Sequence, residues 1–258
     1  MRKTTIIVPC YNESGRLSKD AFVEAASKDR GLHFLFVNDG STDRTLEVLK
    51  DLKKASPGQF DYLDLEKNSG KAEAVRRGFI AALEGASANI GYWDADLATP
   101  LEEIEKFCAI LDKGGATLVI ASRVRLLGRD IQRRALRHYL GRVFATFASL
   151  LLKIPVYDTQ CGAKVFKRSD DLKRAFSRPF KVKWTFDVEL FARLLLLDKD
   201  ASLTWVEYPL EKWADVKGSK LKRGDFLKGG LEFLKIFGIL YLPFIRRGYL
   251  EGLKRNSK

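Results

Sequence analysis

Short apolar runs alternate with longer amphipathic segments through the first half of the chain, and the alternation predicts its architecture. Residues 4–8, 34–37, 62–65, 90–93 and 118–121 are apolar and rich in β-branched or aromatic side chains, as buried strands are. Between them, 16–28, 42–54, 71–83 and 101–111 carry apolar positions at helical spacing. Ser41 or Thr42 is placed to cap the second helix, and Thr99 followed by Pro100 to begin the fourth. This alternation predicts βαβ units and an α/β fold, a mostly parallel central sheet flanked by helices. Beyond Arg123 the pattern changes to an Arg-rich stretch, a long apolar helix, strands near 163–166 and 204–208, and a further helix over 186–197.

Open α/β sheets bind ligands outside the carboxyl ends of their strands. The polar clusters fall at such ends. Val8-Pro9-Cys10-Tyr11-Asn12-Glu13 closes the first run, Asn38-Asp39-Gly40-Ser41-Thr42-Asp43 the second, and Asp94-Ala95-Asp96 the fourth. Asp158-Thr159-Gln160-Cys161-Gly162 and Gly218-Ser219-Lys220 follow further along. A lone Asp-x-Asp says little, but these segments in this order describe a site that holds a nucleoside diphosphate through a metal.

Asp94 and Asp96, on one side of an extended segment, offer two hard oxygen ligands to a single Mg²⁺ or Mn²⁺. Read alone, the same pair is an acidic turn. Asp39 is placed to accept the imide N–H of a pyrimidine base, with Glu13 on the adjacent rim; read locally, Asp39 and Ser41 are turn and capping residues. Lys71 opens the third helix, whose N-terminus favours anions. The two histidines, His33 and His138, lie outside the rim motifs, and no Ser–His or Cys–His pair is visible. A sugar hydroxyl needs a base to take its proton. A phosphate monoester, with a second pKa near ~6, is already largely a dianion at neutral pH. The arginines at 123, 125, 129, 133, 134 and 137 suit such a nucleophile, with Arg125 and Arg129 better read as a solvated face.

Charge and composition bear mainly on partners. A formal charge of +13, from 46 Lys and Arg against 33 Asp and Glu, points to an anionic partner. No nucleic-acid-binding motif is present, so a phosphorylated substrate or a membrane surface is favoured. Cys10, Cys108 and Cys161 are scattered, which fits neither a disulfide framework nor a zinc site. The apolar run before Pro9 is too short for a signal-peptide core. The longest uncharged stretches, 143–152 and 236–245, are ten residues each, well short of the ~20 needed to span a bilayer. The expectation is a catalytic domain over 1–225 and a basic, apolar segment over 226–258 that attaches peripherally to the cytoplasmic face of a membrane.

These residues resemble glycosyltransferase family 2, and within it the dolichyl-phosphate β-glucosyltransferases and bacterial polyprenyl-phosphate glycosyltransferases. The likeness runs from about 4 to 220. It is most specific in Asp158-Thr159-Gln160-Cys161-Gly162, in Trp184-Thr185-Phe186-Asp187-Val188-Glu189-Leu190, and in Trp213 with Gly218-Ser219-Lys220-Leu221. It implies a GT-A (Rossmann-like) fold, a nucleotide-sugar donor with UDP-glucose favoured, a divalent metal, inversion at the anomeric carbon and a polyprenyl-phosphate acceptor. Position by position, Pro9, Tyr11, Glu13 and Asp39 match the nucleotide pocket, and Asp94, Ala95 and Asp96 the metal motif. Arg123, with Arg133 or Arg134, matches the arginines that hold the acceptor phosphate. Ser219 and Lys220 match a loop that closes on the donor phosphates, and Asp158, Gln160, Asp187 and Glu189 line the sugar pocket.

The chain departs from the pattern at Ala98, where dolichyl-phosphate mannose synthases place a glutamine, at Leu97, where glucosyl relatives have glycine, and at Ala163, where they have phenylalanine. The expected activity is hexose transfer from UDP-glucose to a polyprenyl phosphate. Two alternatives stand beside it: transfer to a saccharide hydroxyl with Asp187 or Glu189 as base, and a non-catalytic basic module binding membrane or nucleic acid.

Overall fold

The chain is described by a computed structural model covering residues 2–132, 135–215 and 224–255. In order, its elements are β1 (Thr4–Cys10), α1 (Lys19–Lys28), β2 (Leu32–Asp39), α2 (Thr45–Ala55), β3 (Phe60–Leu65), α3 (Lys71–Glu84), β4 (Asn89–Trp93), α4 (Glu103–Asp112) and β5 (Leu118–Ser122). There follow β6 (Asp130–Gln132), α5 (Ala135–Leu152), β7 (Ala163–Lys167), α6 (Asp170–Phe176), α7 (Phe186–Leu197), β8 (Trp205–Pro209), β9 (Lys212–Ala214), α8 (Gly224–Tyr241) and α9 (Pro243–Arg255). They fall into two units, 1–119 with 162–168, and 120–161 with 169–258.

The first unit is the predicted α/β sandwich. Its strands run in the order β3-β2-β1-β4-β7, with the start of β5 next to β7. β1 pairs in parallel with β2, from Thr4 opposite Leu32 to Cys10 opposite Asn38, and also with β4; β2 pairs in parallel with β3. Ile6, Ile7 and Val8 of β1 and Phe36 and Val37 of β2 are shut off from solvent, as continuous apolar runs buried on both faces should be. Each such side chain contributes roughly 1.5–3 kcal/mol of burial free energy. Phe22 of α1 meets Phe34 and Phe36 edge-on at 5.1 and 5.0 Å between ring centres. On α3, Gly78 lies against Ile7 and Val37 so closely that a Cβ would collide with the Ile7 side chain.

β7 runs antiparallel to β4, with Trp93 opposite Ala163 and Asn89 opposite Lys167. This one reversal in a mostly parallel set carries residues from much later in the chain to the carboxyl end of β4.

Two predicted helix starts are corrected. Neither Ser41 nor Thr42 caps α2, which begins at Thr45; the Asp43 carboxylate takes the Thr45 N–H at 2.9 Å and the Thr45 hydroxyl at 2.5 Å. α4 begins at Glu103, because the Thr99 carbonyl is spent on the Trp93 indole N–H at 2.8 Å and 101–102 form a turn.

In the second unit the end of β5 lies beside β8, with the Leu210 N–H donating to the Ser122 carbonyl at 2.9 Å. β6 and β9 form a short parallel pair. The rest is helical. α7 matches its predicted span and is buried along most of its length. Phe144 of α5 packs on Trp184 and Phe233, at 5.0 and 4.6 Å between ring centres. The Glu232 carboxylate of α8 accepts the N–H groups of Lys183, Trp184 and Thr185, and the Tyr241 hydroxyl donates to the Leu151 carbonyl at 2.6 Å. On their outer sides, Val143, Phe147 and Leu150 of α5 and Leu231, Leu234, Phe237 and Phe244 of α8 and α9 are exposed. No helix of the described residues is long and apolar enough to cross a membrane.

Candidate active site

The rim of the first unit is laced together by polar side chains. Asn12, at the left-handed φ of 52°, accepts the Thr42 N–H on its side-chain oxygen at 2.8 Å, while its own N–H donates to Ser41 at 3.0 Å. The Ser14 hydroxyl donates to Asp43 at 2.7 Å. Burial opposes ionisation of Asp43, but donors from Thr45 and Ser14 outweigh it and hold the carboxyl at about 2. These bonds fix the loops after β1 and β2, and with them half-buried Pro9 and Tyr11. Glu13 is buried, and Arg16 grips its carboxylate at 2.6 and 2.9 Å.

Asp39 is also buried, and its two oxygens accept the Ser69 and Gly70 N–H groups at 2.7 and 2.8 Å. Its local role is therefore to hold the loop that leads into α3. Gly40, at φ 62°, presses on the backbone of Lys67 and Asn68, where any Cβ would clash.

That loop delivers Lys71. Its ammonium lies 2.5 Å from Asp94 and 5.9 Å from the Tyr92 ring centre. β4 ends at Trp93, so Asp94 and Asp96 do not share one side of an extended strand, as the sequence led us to expect. Residues 94–97 turn instead, with the Leu97 N–H on the Asp94 carbonyl at 3.3 Å and Leu97 at φ 53°. Asp96 accepts the Ala98 N–H at 3.1 Å, and Ala95 between the two aspartates is buried. Burial pushes the Asp96 carboxyl up, and the Asp94 charge pushes it further.

The antiparallel β7 explains how Asp94 is seated. The Asp94 N–H donates to the Gly162 carbonyl at 2.8 Å, and any Cβ on Gly162 would run into the Asp94 carboxylate. Two residue pairs along, fully buried Lys164 donates to the Tyr92 hydroxyl at 2.7 Å. The roles of Gly162 and Lys164 were not read from the sequence; the one available signal was the glycine ending the Asp158-to-Gly162 motif. Two carboxylates two positions apart in a turn, with a lysine drawn to one of them, offer the hard oxygen donors that a divalent cation takes. Among the described residues no third His, Cys, Asp or Glu joins them. A cavity of about 550 Å³ between α1 and α4, lined by Ala21, Glu24, Leu97 and Glu105, contains none of the predicted site residues.

The second unit has its own polar centre. Arg123 binds Asp158 through two N–H groups at 2.6 and 2.8 Å and lies 5.3 Å from the Trp213 ring centre. Asp158 also accepts the Gln160 N–H at 3.1 Å. Behind it, Glu207 of β8 accepts the Tyr157 and Asp158 N–H groups at 2.7 and 2.6 Å, and burial pushes the Glu207 carboxyl up. Nothing in the sequence singled out Glu207. Gln160 reaches the Trp184 carbonyl at 3.4 Å.

Asp187 and Glu189 are both buried at the start of α7. Glu189 accepts the Lys181 and Val182 N–H groups at 2.8 and 2.9 Å, Arg193 at 2.7 Å, and the Tyr249 hydroxyl. Its carboxylate is spent inside the fold, which removes it as a base. Arg129 sits on Glu211 at 3.2 Å on the surface. Arg133, Arg134, Ser219 and Lys220 lie outside the described residues.

An α/β sheet with a carboxylate pair at the end of a central strand defines the class as a GT-A-type glycosyltransferase. The glycosyl transferase family 2 profile matches residues 5–173, and the chain belongs to that family. It is 30% identical over 246 residues to a dolichyl-phosphate beta-glucosyltransferase of Trichomonas vaginalis, covering 90% of this chain and 70% of that protein. It is likewise 30% identical to the human dolichyl-phosphate beta-glucosyltransferase, over 98% of this chain and 78% of that one. Its fold is similar to that of glucosyl-3-phosphoglycerate synthase from Mycobacterium tuberculosis in complex with Mn²⁺ and UDP-glucose. The TM-score is 0.66 at 18% identity, covering 92% of this chain and 79% of the other.

Proposed function

We propose that the chain transfers glucose from UDP-glucose to a polyprenyl phosphate, with inversion at the anomeric carbon. The observation that carries this reading is the likeness of about nine tenths of the chain to relatives named for one activity, dolichyl-phosphate beta-glucosyl transfer. The first unit handles the donor. Lys71 lies beside Asp94 at the mouth of the rim, where an ammonium can pair with diphosphate oxygens. Asp94 and Asp96 are the carboxylates placed to hold Mg²⁺ or Mn²⁺, which when bound would stabilise the charge on the leaving UDP.

The second unit handles the acceptor. Arg123, fixed by Asp158 and backed by Trp213, binds the lipid phosphate. A phosphate oxygen forms the new bond to the sugar C1 as the C1–oxygen bond to UDP breaks, and the bonding pair leaves on the β-phosphate. The phosphate dianion brings no proton to remove, so the reaction needs no general base. The exposed apolar side chains of α5, α8 and α9, with Arg246 and Arg247 beside them, rest on the membrane surface that supplies the lipid.

The test is to incubate the protein with UDP-glucose, UDP-galactose or GDP-mannose and citronellyl phosphate, and to follow nucleoside diphosphate release and the lipid product by mass spectrometry. Glucosyl-phosphoprenol from UDP-glucose with Mg²⁺ or Mn²⁺ is the expected result. Transfer to sugar hydroxyls with no lipid product would overturn the reading.

A further inference from the structure

In the second unit a cavity of about 30 Å³ is lined by Arg123, Arg142, Thr159 and Gln160, together with Asp158. Arg142, on α5, is half-buried. One guanidinium N–H donates to the Tyr157 carbonyl at 2.8 Å, and its central carbon lies 3.4 Å from the Tyr157 ring centre. Stacking and hydrogen bond together fix the plane of the guanidinium before any ligand arrives, so little side-chain entropy remains to be lost on binding. Thr159 is almost completely buried, and its hydroxyl has no hydrogen-bond partner among the described residues. A buried hydroxyl left unpaired is costly, and one that lines a polar cavity calls for an acceptor there.

The cavity lining carries two guanidinium groups and a single carboxylate, with Thr159 beside them, and Arg123 already takes that carboxylate. The balance is cationic. About 10–15 Å³ suffices for one water-sized occupant, so the cavity takes two or three oxygen-sized atoms at most and leaves the rest of an oxyanion at its mouth. We propose that Arg142 and Thr159 bind a phosphate oxygen of the acceptor, as specificity residues for a phosphorylated acceptor over a neutral one. The inference rests on the reading above that the acceptor is a phosphate.

Full-length Arg142→Gln and Thr159→Val test it, with Michaelis constants for citronellyl phosphate and UDP-glucose and melting temperatures measured on each. A lost charge-assisted contact raises the acceptor constant about ten- to a hundredfold in Arg142→Gln, and the lost hydroxyl raises it several-fold in Thr159→Val. The UDP-glucose constant stays within about twofold in both, as expected if the donor contacts are untouched. Thr159→Val also keeps or raises the melting temperature, because it removes an unpaired buried hydroxyl. That pairing of unimpaired stability with weakened acceptor use separates binding from a structural role.

Unchanged acceptor constants in both variants overturn the pocket and leave the reaction assignment standing. If the wild type does not glucosylate citronellyl phosphate, the reaction assignment fails, and titration with inorganic phosphate decides the pocket alone. Weaker phosphate binding in both variants then supports it, and equal binding overturns it.

Discussion

The two units balance the carboxylates of their polar centres in different ways. In the first, Arg16 grips Glu13 and Lys71 meets Asp94, but Asp39 and Asp96 accept backbone N–H groups, and Asp43 accepts N–H and hydroxyl donors. These dipolar donors satisfy lone pairs but bring no positive charge, so the rim keeps a surplus of negative charge. In the second, Glu207 and Glu232 also accept backbone N–H groups, but Asp158 is gripped by Arg123 and Glu189 by Arg193. Those charges cancel in pairs, and what remains to be recognised is shape and the outward side of the guanidinium groups. A rim with surplus negative charge suits a cation carrying a diphosphate, and a set of tethered arginines suits an anion. The contrast between dipolar and ionic support is thus a contrast in which ligand each unit is prepared to take.

The comparison is broken most severely at Asp96. Asp96→Ala is expected to lower turnover on the order of 10³-fold while the protein stays folded, because on the proposed reading the group lost would hold the cation that stabilises the leaving diphosphate. Near-normal turnover with Mn²⁺ present would take the rim out of the chemistry. Glu189→Ala is the counterpart in the second unit. It strands the buried Arg193 guanidinium, so urea unfolding should show a loss of about 3–5 kcal/mol. If stability is unchanged and turnover alone collapses, Glu189 is a catalytic group after all.

Gly162→Ala should sharpen the contrast from the donor side. The added methyl displaces the Asp94 carboxylate, and a misplacement of that kind costs about 10²-fold in turnover with little change in acceptor affinity. An unchanged rate would show that the Asp94 position is not critical. The smallest effect is at Leu97. Leu97→Gly relieves a left-handed backbone that costs an L-residue about 1–2 kcal/mol, less the entropy glycine loses on folding, so a small rise in melting temperature is expected. A fall would mean that the Leu97 side chain, which lines the cavity beside α4, contributes more by packing than its backbone costs.

Legibility in the sequence follows the range of the interactions. The α/β alternation through β5 could be read because each strand and helix declares itself within its own run of residues, and β1 through β4 lie within a few residues of their predicted bounds. Family membership could be read because the runs Asp158 to Gly162 and Trp184 to Leu190 resemble that family's motifs residue by residue. The turn at 94–97 was missed since a pattern of alternating residues does not say where a strand stops. Gly162 stands at the end of a legible motif, but its closeness to Asp94 depends on β7 returning antiparallel from far along the chain. Glu207 and Arg142 left no local trace: one acts through backbone N–H groups of a distant loop, the other through a carbonyl fifteen residues away.

Tyr249 of α9 reaches back to Glu189 and Arg193 on α7, and so ties the C-terminal helices to the most deeply buried charges of the second unit. This has a practical side for anyone who would engineer the chain. A cut made upstream of Tyr249 to obtain a better-behaved catalytic fragment would remove more than the proposed attachment surface, since it would open the Glu189–Arg193 pair to water and loosen α7 from within. Soluble variants are better sought by changing the outward side chains Leu231, Leu234 and Phe237 to polar ones, one at a time, with α8 and α9 kept whole.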